Sequence, residues 1–479
     1  MVRDVAYESL PKRERERLHL LVADGLSSDP ETAARRPRAI AFHLEQAALA
    51  SLDLNPRDRT LAERAVDALA HAGDVAREGP DMKAAEDDYQ RALELAGPER
   101  GWGLREARIL ASLGEIRYWL GEFEPAIPVL ERALKLGDGD LAVRAQASRF
   151  LGDIELSILG DAKRAAELLD DALEAARGLG DPWTLARTLL VAAWAPYFRQ
   201  DTEGARAMFR EALETARANP EGDRWSEARS LVGLSTLESD EGDEEGSLRL
   251  AAEALVVAES SGDRFSIAVA HEAVGGTMRR MMRLEDAEPH LDAAVDAFRE
   301  LGARWELASA LTSRGIARRL AGRPEDAVKD LREAYRLCRE LKERSIITWT
   351  ASALARAFVN AGDPGSARRV LDEVDSVANV HTAAGEDWID YADVEILLAE
   401  GERDAALERA LSILRYERDE GSAKDVAARV WWISQVFGVE AAGGEGEVER
   451  ARELLERTQM LQAFREAELV TSRSAIPRA

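Results

Sequence analysis

The chain has 479 residues, a formal net charge of −26, 46% apolar and 32% charged residues and a single cysteine, Cys338. This is too apolar for a disordered chain and too interrupted by charge for a membrane protein. The acidic field repels phosphate, which argues against nucleic acid and acidic membrane surfaces as general partners. No stretch of 18 apolar residues and no apolar core behind Met1 is present, so a cytoplasmic location is the expectation. Cys338 cannot form an intrachain disulfide and lies on an apolar stripe with Leu331, Ala334 and Leu341, as a buried structural thiol would.

Taken in order, residues 1–56 read as a helical junction or N-terminal cap. Arg3 to Leu10 predicts a short helix, and Pro11 opens a second that carries Leu18, Leu21, Val22 and Leu26. Asp29-Pro30 and Arg35-Arg36-Pro37 interrupt it, helical spacing resumes through Ile40, Phe42, Leu44, Ala47 and Ala48, and Asn55-Pro56 ends it.

Residues 57–437 are periodic. In Trp305–Tyr335, Gly315 follows Trp305 by ten residues, Ala327 follows Gly315 by twelve, and Leu331 and Ala334 come four and seven later. The pattern returns at Phe265, Gly275, Ala287, Leu291 and Ala294, at Trp225, Ser235, Ser247, Ala251 and Ala254, and at Trp183, Ala193, Ala205, Phe209 and Ala212. From Ala85 to Ala406 the small residue opening each second helix recurs about every 40 residues, giving roughly nine to ten units. A Gly or Ala on one helix opposite an Ala on the next lets two antiparallel helices approach closely, and the larger apolar groups one turn on fill the space against a neighbouring pair. The third unit carries one extra residue between Gly152 and Ala165, and the fifth, with Ser235 and Ser247, has the weakest core.

The Gly-x12-Ala-x4-[Leu/Phe/Tyr]-x3-Ala skeleton, seen in Gly73, Ala85, Tyr89 and Ala92 and in Gly114, Ala126, Leu130 and Ala133, resembles the tetratricopeptide motif. The resemblance implies an all-α solenoid of helical hairpins wound as a right-handed superhelix. Residues 438–479 read as a flexible break at Ala442–Gly446, one capping helix over 448–469 and a disordered tail.

A second resemblance lies in Arg3-Asp4-Val5-Ala6-Tyr7-Glu8-Ser9-Leu10-Pro11, Arg17-Leu18-His19 and Ala41-Phe42-His43-Leu44-Glu45-Gln46-Ala47. These stretches resemble the helical segment just downstream of the ATPase module in bacterial signal-transducing ATPases with C-terminal tetratricopeptide arrays, often joined to an adenylate/guanylate cyclase or transcriptional-activator domain. The chain contains no G-x-x-x-x-G-K-[ST] phosphate loop onto which that family's nucleotide-binding residues could be carried. Either the chain belongs to an ATPase or cyclase whose catalytic domains lie upstream, or it is a stand-alone repeat protein that keeps the junction.

No chemistry-bearing constellation emerges. His19, His43, His71, His271, His290 and His381 lack the i, i+4 spacing of a metal-ligating helix. Asp240–Glu245 lacks the alternating ligands of a calcium loop and reads as a solvated turn. There is no G-x-S-x-G element, and no catalytic residue, metal or cofactor is expected. The rings at Trp183, Trp225, Phe265 and Trp305 begin first helices and read as wedges between units rather than as a ligand-contacting stripe.

In arrays resembling this one the first helix of each pair lines the concave face. Positions on that side hold Arg108, Tyr118, Arg187, Trp194, Tyr197, Arg229, Arg279, Arg319 and Arg356. Arginine and aromatic side chains in such a groove suit a protein or peptide with acidic or aromatic segments, through bidentate hydrogen bonds and cation–π contacts. The same arginines could instead pair with acids on neighbouring helices. The expected function is a non-catalytic protein- or peptide-binding scaffold, the sensor or regulatory part of a bacterial signalling system. Small-ligand sensing within the superhelix is a third reading.

Overall fold

The computed structural model describes residues 10–78, 81–97, 102–159, 161–220, 222–342, 346–375, 383–420, 423–457 and 461–471, and their regular structure is helical throughout. The predicted helix over residues 3–10 and the tail after residue 471 lie outside these, and so does His381. The chain divides into two compact units, residues 1–154 with 167–180, and residues 155–166 with 181–479.

In the first unit, α1 (Lys12–Ser27), α2 (Pro30–Arg35) and α3 (Pro37–Leu54) begin at or just after the prolines that break the sequence pattern. The Asp29 carboxylate accepts from the Thr32 amide at 3.0 Å and caps α2. Ala23, Ala41, Leu44 and Ala48 bury α1 against α3, and the imidazoles of His19 and His43 meet Nδ1 to Nδ1 at 2.8 Å. The hairpins α4 (Thr60–Glu78) with α5 (Met82–Ala96) and α6 (Leu104–Trp119) with α7 (Phe123–Leu136) follow, and then α8 (Leu141–Asp153). A Cβ added at Gly114 would stand 2.3 Å from Leu130 Cδ2, so that hairpin closes only because the position has no side chain. The extra residue of the third unit falls where the chain becomes π-helical, over Ile154–Leu159. Helix α9 (Ala162–Leu179) leads onward.

The second unit continues with α10 (Pro182–Ala192), α11 (Trp194–Phe198), α12 (Thr202–Ala218), α13 (Arg224–Asp240), α14 (Glu244–Ser261), α15 (Arg264–Arg280), α16 (Leu284–Leu301), α17 (Arg304–Leu320), α18 (Pro324–Leu341), α19 (Ile347–Asn360), α20 (Pro364–Asp375), α21 (Ala383–Glu400), α22 (Arg403–Glu420) and α23 (Ala423–Phe437). Helices α13, α15 and α17 pair with α14, α16 and α18 as hairpins. Asp181, Asp223 and Asp263 cap three successive first helices by accepting from the amides of Thr184, Ser226 and Ser266. Between helices of a pair, Gly322 (φ 79°) and Gly362 (φ 83°) take the left-handed conformation that the tight turn requires. Cys338 is fully buried in the central core with Leu331, Ala334 and Leu354.

Two features of the sequence acquire physical explanations. The weak fifth core is bridged by buried hydroxyls: Ser235 Oγ donates to the Ser247 carbonyl at 2.8 Å, and Ser247 Oγ meets Thr277 Oγ1 at 3.1 Å. The acidic run at Asp240–Glu245 is only partly solvated. Asp243 caps α14, while Glu244 is buried, accepts from Ser239 and pairs with Arg280.

The C-terminal stretch departs from one continuous helix. A single 3₁₀ turn (Glu440–Ala442) and left-handed Gly443 precede α24 (Glu445–Arg457), and a separate α25 (Leu461–Thr471) follows. Helix α25 packs on α23 and also touches α15 and α17, so it lies across first helices of the array.

Candidate functional site

Successive first helices touch one another, α13 with α15, α15 with α17 and α17 with α19, forming a continuous surface in the second unit. The residues singled out in the sequence fall in three groups, all in this surface's unit except Arg108 and Tyr118, which belong to the first unit.

Arg187 and Arg229 build a ladder with the aromatic series. The Arg187 guanidinium lies 5.2 Å from the Trp183 ring centroid and 5.0 Å from that of Trp225. Arg229 repeats the arrangement, 5.1 Å from Trp225 and 5.6 Å from Phe265. Each of these two guanidiniums thus bridges the rings of neighbouring units through cation–π contacts, Trp183 with Trp225 and Trp225 with Phe265.

The aromatic positions make a second group. Trp194 packs edge-to-face on Tyr197 and Phe209, with centroids 5.2 Å away in both cases. Tyr197 is held above the usual phenol range by burial and by the Asp240 carboxylate, with which it hydrogen-bonds. In the first unit, Tyr118 donates to Asp153 and stacks with Phe150, while exposed Arg108 pairs with Asp140 at 2.7 Å.

The third group converges on one residue that the local sequence did not reveal. Arg319 is 2% exposed and Arg356 8%, and both donate to Glu466 of α25: Arg319 Nη2 to Oε1, and Arg356 Nη2 to Oε2 at 2.6 Å. Arg356 Nε also donates to Glu395 at 2.7 Å, and Arg319 Nη1 reaches Asn360 Oδ1 at 3.4 Å. Buried Arg319 Nε has no hydrogen-bond partner among the described residues. Burial alone would lower Arg356, but the Glu395 and Glu466 carboxylates outweigh it and raise it. Arg279, 7% exposed, is instead lowered to about 9 by burial and the adjacent Arg280, against the pull of Glu244 and Glu466 and with Arg319 adding repulsion.

The buried set therefore holds three guanidiniums (Arg279, Arg319, Arg356) and three carboxylates (Glu244, Glu395, Glu466), with the part-exposed Arg280 pairing with Glu244 at its edge. Arg465 Nε adds a bond to the Leu320 carbonyl at 3.1 Å. Leu469 joins the central core, while Ala467 and Val470 join the C-terminal one. Helix α25 is thus held by a carboxylate and by the aliphatic groups three and four positions on, which share its side of the helix. Glu466 lies 147 positions from Arg319, beyond any spacing rule, and only its place in an amphipathic segment hinted at a docked helix.

Elsewhere, His271 and His290 meet Nδ1 to Nδ1 at 2.8 Å, a pair joining α15 to α16 that helical spacing within one element could not show. A cavity of about 540 Å³ between α18, α19 and α20 is lined by Arg332, Tyr335, Arg339, Phe358 and Glu373. The Tyr335 hydroxyl is buried with no hydrogen-bond partner among the described residues. Among the described residues no group of three or more potential metal ligands occurs, and no helix is long and apolar enough to cross a membrane.

Such an array of close-packed helical hairpins is of the tetratricopeptide class, and residues 266–340 match a tetratricopeptide-repeat family model. No curated protein matches the chain in sequence. Among solved structures, a Rap protein complexed with competence and sporulation factor is similar at 16% identity and a TM-score of 0.54, covering 74% of this chain and 98% of that one. A signal-transduction ATPase with a tetratricopeptide-repeat sensor from Pyrococcus horikoshii is 16% identical, covering 76% of this chain and 52% of that one, with a TM-score of 0.43. At 16% identity the likeness to the Rap protein speaks for the fold.

Proposed function

We propose that the chain is a non-catalytic regulatory scaffold that binds a protein or peptide on the first-helix face, as part of a bacterial signalling system. The observation that carries this reading is the convergence of Arg319 and Arg356, from successive first helices, on Glu466 of a single helical segment that also touches the helix of buried Arg279. A surface that holds one amphipathic helix through buried charge-assisted hydrogen bonds has the chemistry to hold another. The Rap protein of similar fold is complexed with competence and sporulation factor, which supports a peptide or protein as the partner class.

Photo-crosslinking tests the reading. A photoreactive residue placed at Arg229 on the first-helix face should crosslink to a discrete partner in native extract. One at exposed Val256, on second helix α14, should not. Equal crosslinking from both positions would remove the case for this face.

A second reading, that the chain is the sensor of a signal-transducing ATPase or cyclase, rests on the resemblance of residues 3–47. An in-frame phosphate loop in the coding sequence upstream of Met1 would support it, and an upstream stop codon would refute it.

A further inference from the structure

The chain's own last helix occupies the surface just proposed for a partner, and the charge arrangement says what could replace it. With Glu466 in place, the buried set carries three guanidiniums and three carboxylates. Withdrawing Glu466 alone would leave Arg319 with only the 3.4 Å contact to Asn360 among the described residues, and would leave the guanidiniums of Arg279, Arg319 and Arg356, each less than a tenth exposed, with one buried carboxylate fewer. Uncompensated buried charge is strongly unfavourable, so Glu466 cannot leave unless another carboxylate arrives or the cluster opens to water. An apolar or basic segment cannot supply that exchange. An acidic one can.

The seat has further requirements. Leu469, buried among the central hairpins, lies three residues beyond Glu466, and Ala467 and Val470 pack on the C-terminal helices. The occupant is therefore a helix with a carboxylate, a small residue one position on, and aliphatic groups three and four positions on, which share a helical side with the carboxylate. Buried Arg319 Nε, without a partner among the described residues, offers a donor that Glu466 leaves unused.

We infer that Arg279, Arg319 and Arg356 form a carboxylate-reading site, which Glu466 of α25 fills in cis. Its partner is an acidic amphipathic helical peptide that competes with α25 for the seat. This rests on the first-helix face being the binding face. The cis helix sets a threshold: a partner gains only the difference between its own affinity and that of α25, so binding is weakened by the fraction of molecules in which the seat is filled. What α25 loses on displacement is a contact spanning α15, α17 and α23, so partner binding is reported at the C-terminal end of the chain.

The test uses the intact chain and a fluorescent synthetic peptide with the sequence of residues 461–471. Fluorescence anisotropy should show at least tenfold tighter binding of the peptide to the Glu466→Gln chain than to wild type, because the cis competitor is weakened. A peptide with glutamine at the position of Glu466 should lose at least tenfold against the same chain, and Arg319→Met in the Glu466→Gln background should abolish binding. In wild type, saturating peptide should raise hydrogen exchange across residues 461–471 without raising it in α16 or α18. Equal affinity of wild type and Glu466→Gln for the peptide, or indifference to the peptide's carboxylate, would overturn the proposal. If Glu466→Gln fails to fold by circular dichroism, the wild-type exchange experiment decides alone: unchanged protection of 461–471 at saturating peptide refutes displacement. A partner that crosslinks at Arg229 while α25 stays protected would leave the binding-face reading standing and this inference refuted. Displacement by the peptide together with equal crosslinking from Arg229 and Val256 would leave the carboxylate-reading seat standing and refute the reading that a native partner uses this face.

Discussion

Replacing Gly315 with alanine tests whether close approach of the paired helices, rather than helix propensity, selects the small residue of each unit. A Cβ there would lie 2.5 Å from Leu331 Cγ and 3.0 Å from Cδ2, with Leu331 fully buried. Carbon atoms rest at about 3.5–4.0 Å, so the overlap exceeds about 1 Å at the branch point of the leucine, which cannot swing aside like a chain end. Overpacking of this kind costs about 1–3 kcal/mol, whereas Gly to Ala inside a helix gains about 1 kcal/mol. The single variant should therefore be destabilised by up to about 2 kcal/mol. In a Leu331→Ala background, itself destabilised by about 2–5 kcal/mol, the obstacle is gone and Gly315→Ala should stabilise by about 1 kcal/mol. A repeat array opens locally, so hydrogen exchange of the α17 and α18 amides is the appropriate assay. The same sign in both backgrounds would refute the close-approach argument and leave only the propensity effect.

Two further predictions concern a part-buried carboxylate and a buried hydroxyl outside the charged cluster. Glu272 on α15 is pushed up to about 7, chiefly by burial, with Glu306 repelling its charge and the Ser309 hydroxyl, donating at 2.6 Å, opposing the shift. Between pH of about 4.5 and 7 the folded chain holds a proton that the unfolded chain has released, so stability contributed by this group falls as pH rises and is fully lost above about 7. Glu272→Gln should match wild type near pH 4 and exceed it by at most about 3 kcal/mol at pH 8, at about 1.4 kcal/mol per pKa unit; a stability difference independent of pH in urea titrations would sink this reading. Tyr335→Phe removes a buried hydroxyl without a partner among the described residues and should leave thermal stability unchanged or raise it by about 1 kcal/mol, whereas a clear loss would show that the hydroxyl has a water or ligand partner in solution.

Much of the architecture was legible because it is governed by local spacing. The small residues at Gly114, Gly275 and Gly315 each face the leucine of the following helix, Leu130, Leu291 and Leu331. Sixteen positions separate the members of each pair, which places them opposite one another across a hairpin turn. The break at 442–446 was visible as glycines, but not the division of the last stretch into α24 and α25. Both halves are amphipathic, and the chain between them carries no strong breaker.

The candidate site was only half legible. The arginine positions could be counted out from the repeat, since they share a register with the small residues. Whether a guanidinium would stack, pair with a neighbour or hold a distant segment depended on what stood across from it. Arg187 and Arg229 met rings one repeat away, which periodicity anticipates. Arg319 and Arg356 met Glu466, 147 and 110 residues onward, which it does not. By itself, then, the amino-acid sequence determined that helical hairpins stack and which residues form their seams, because those contacts repeat at short, constant separation. Only the tertiary structure decided that the last helix turns back onto the first-helix face. That choice comes from matching buried charge and apolar surface between segments remote in the chain, and no local pattern encodes it.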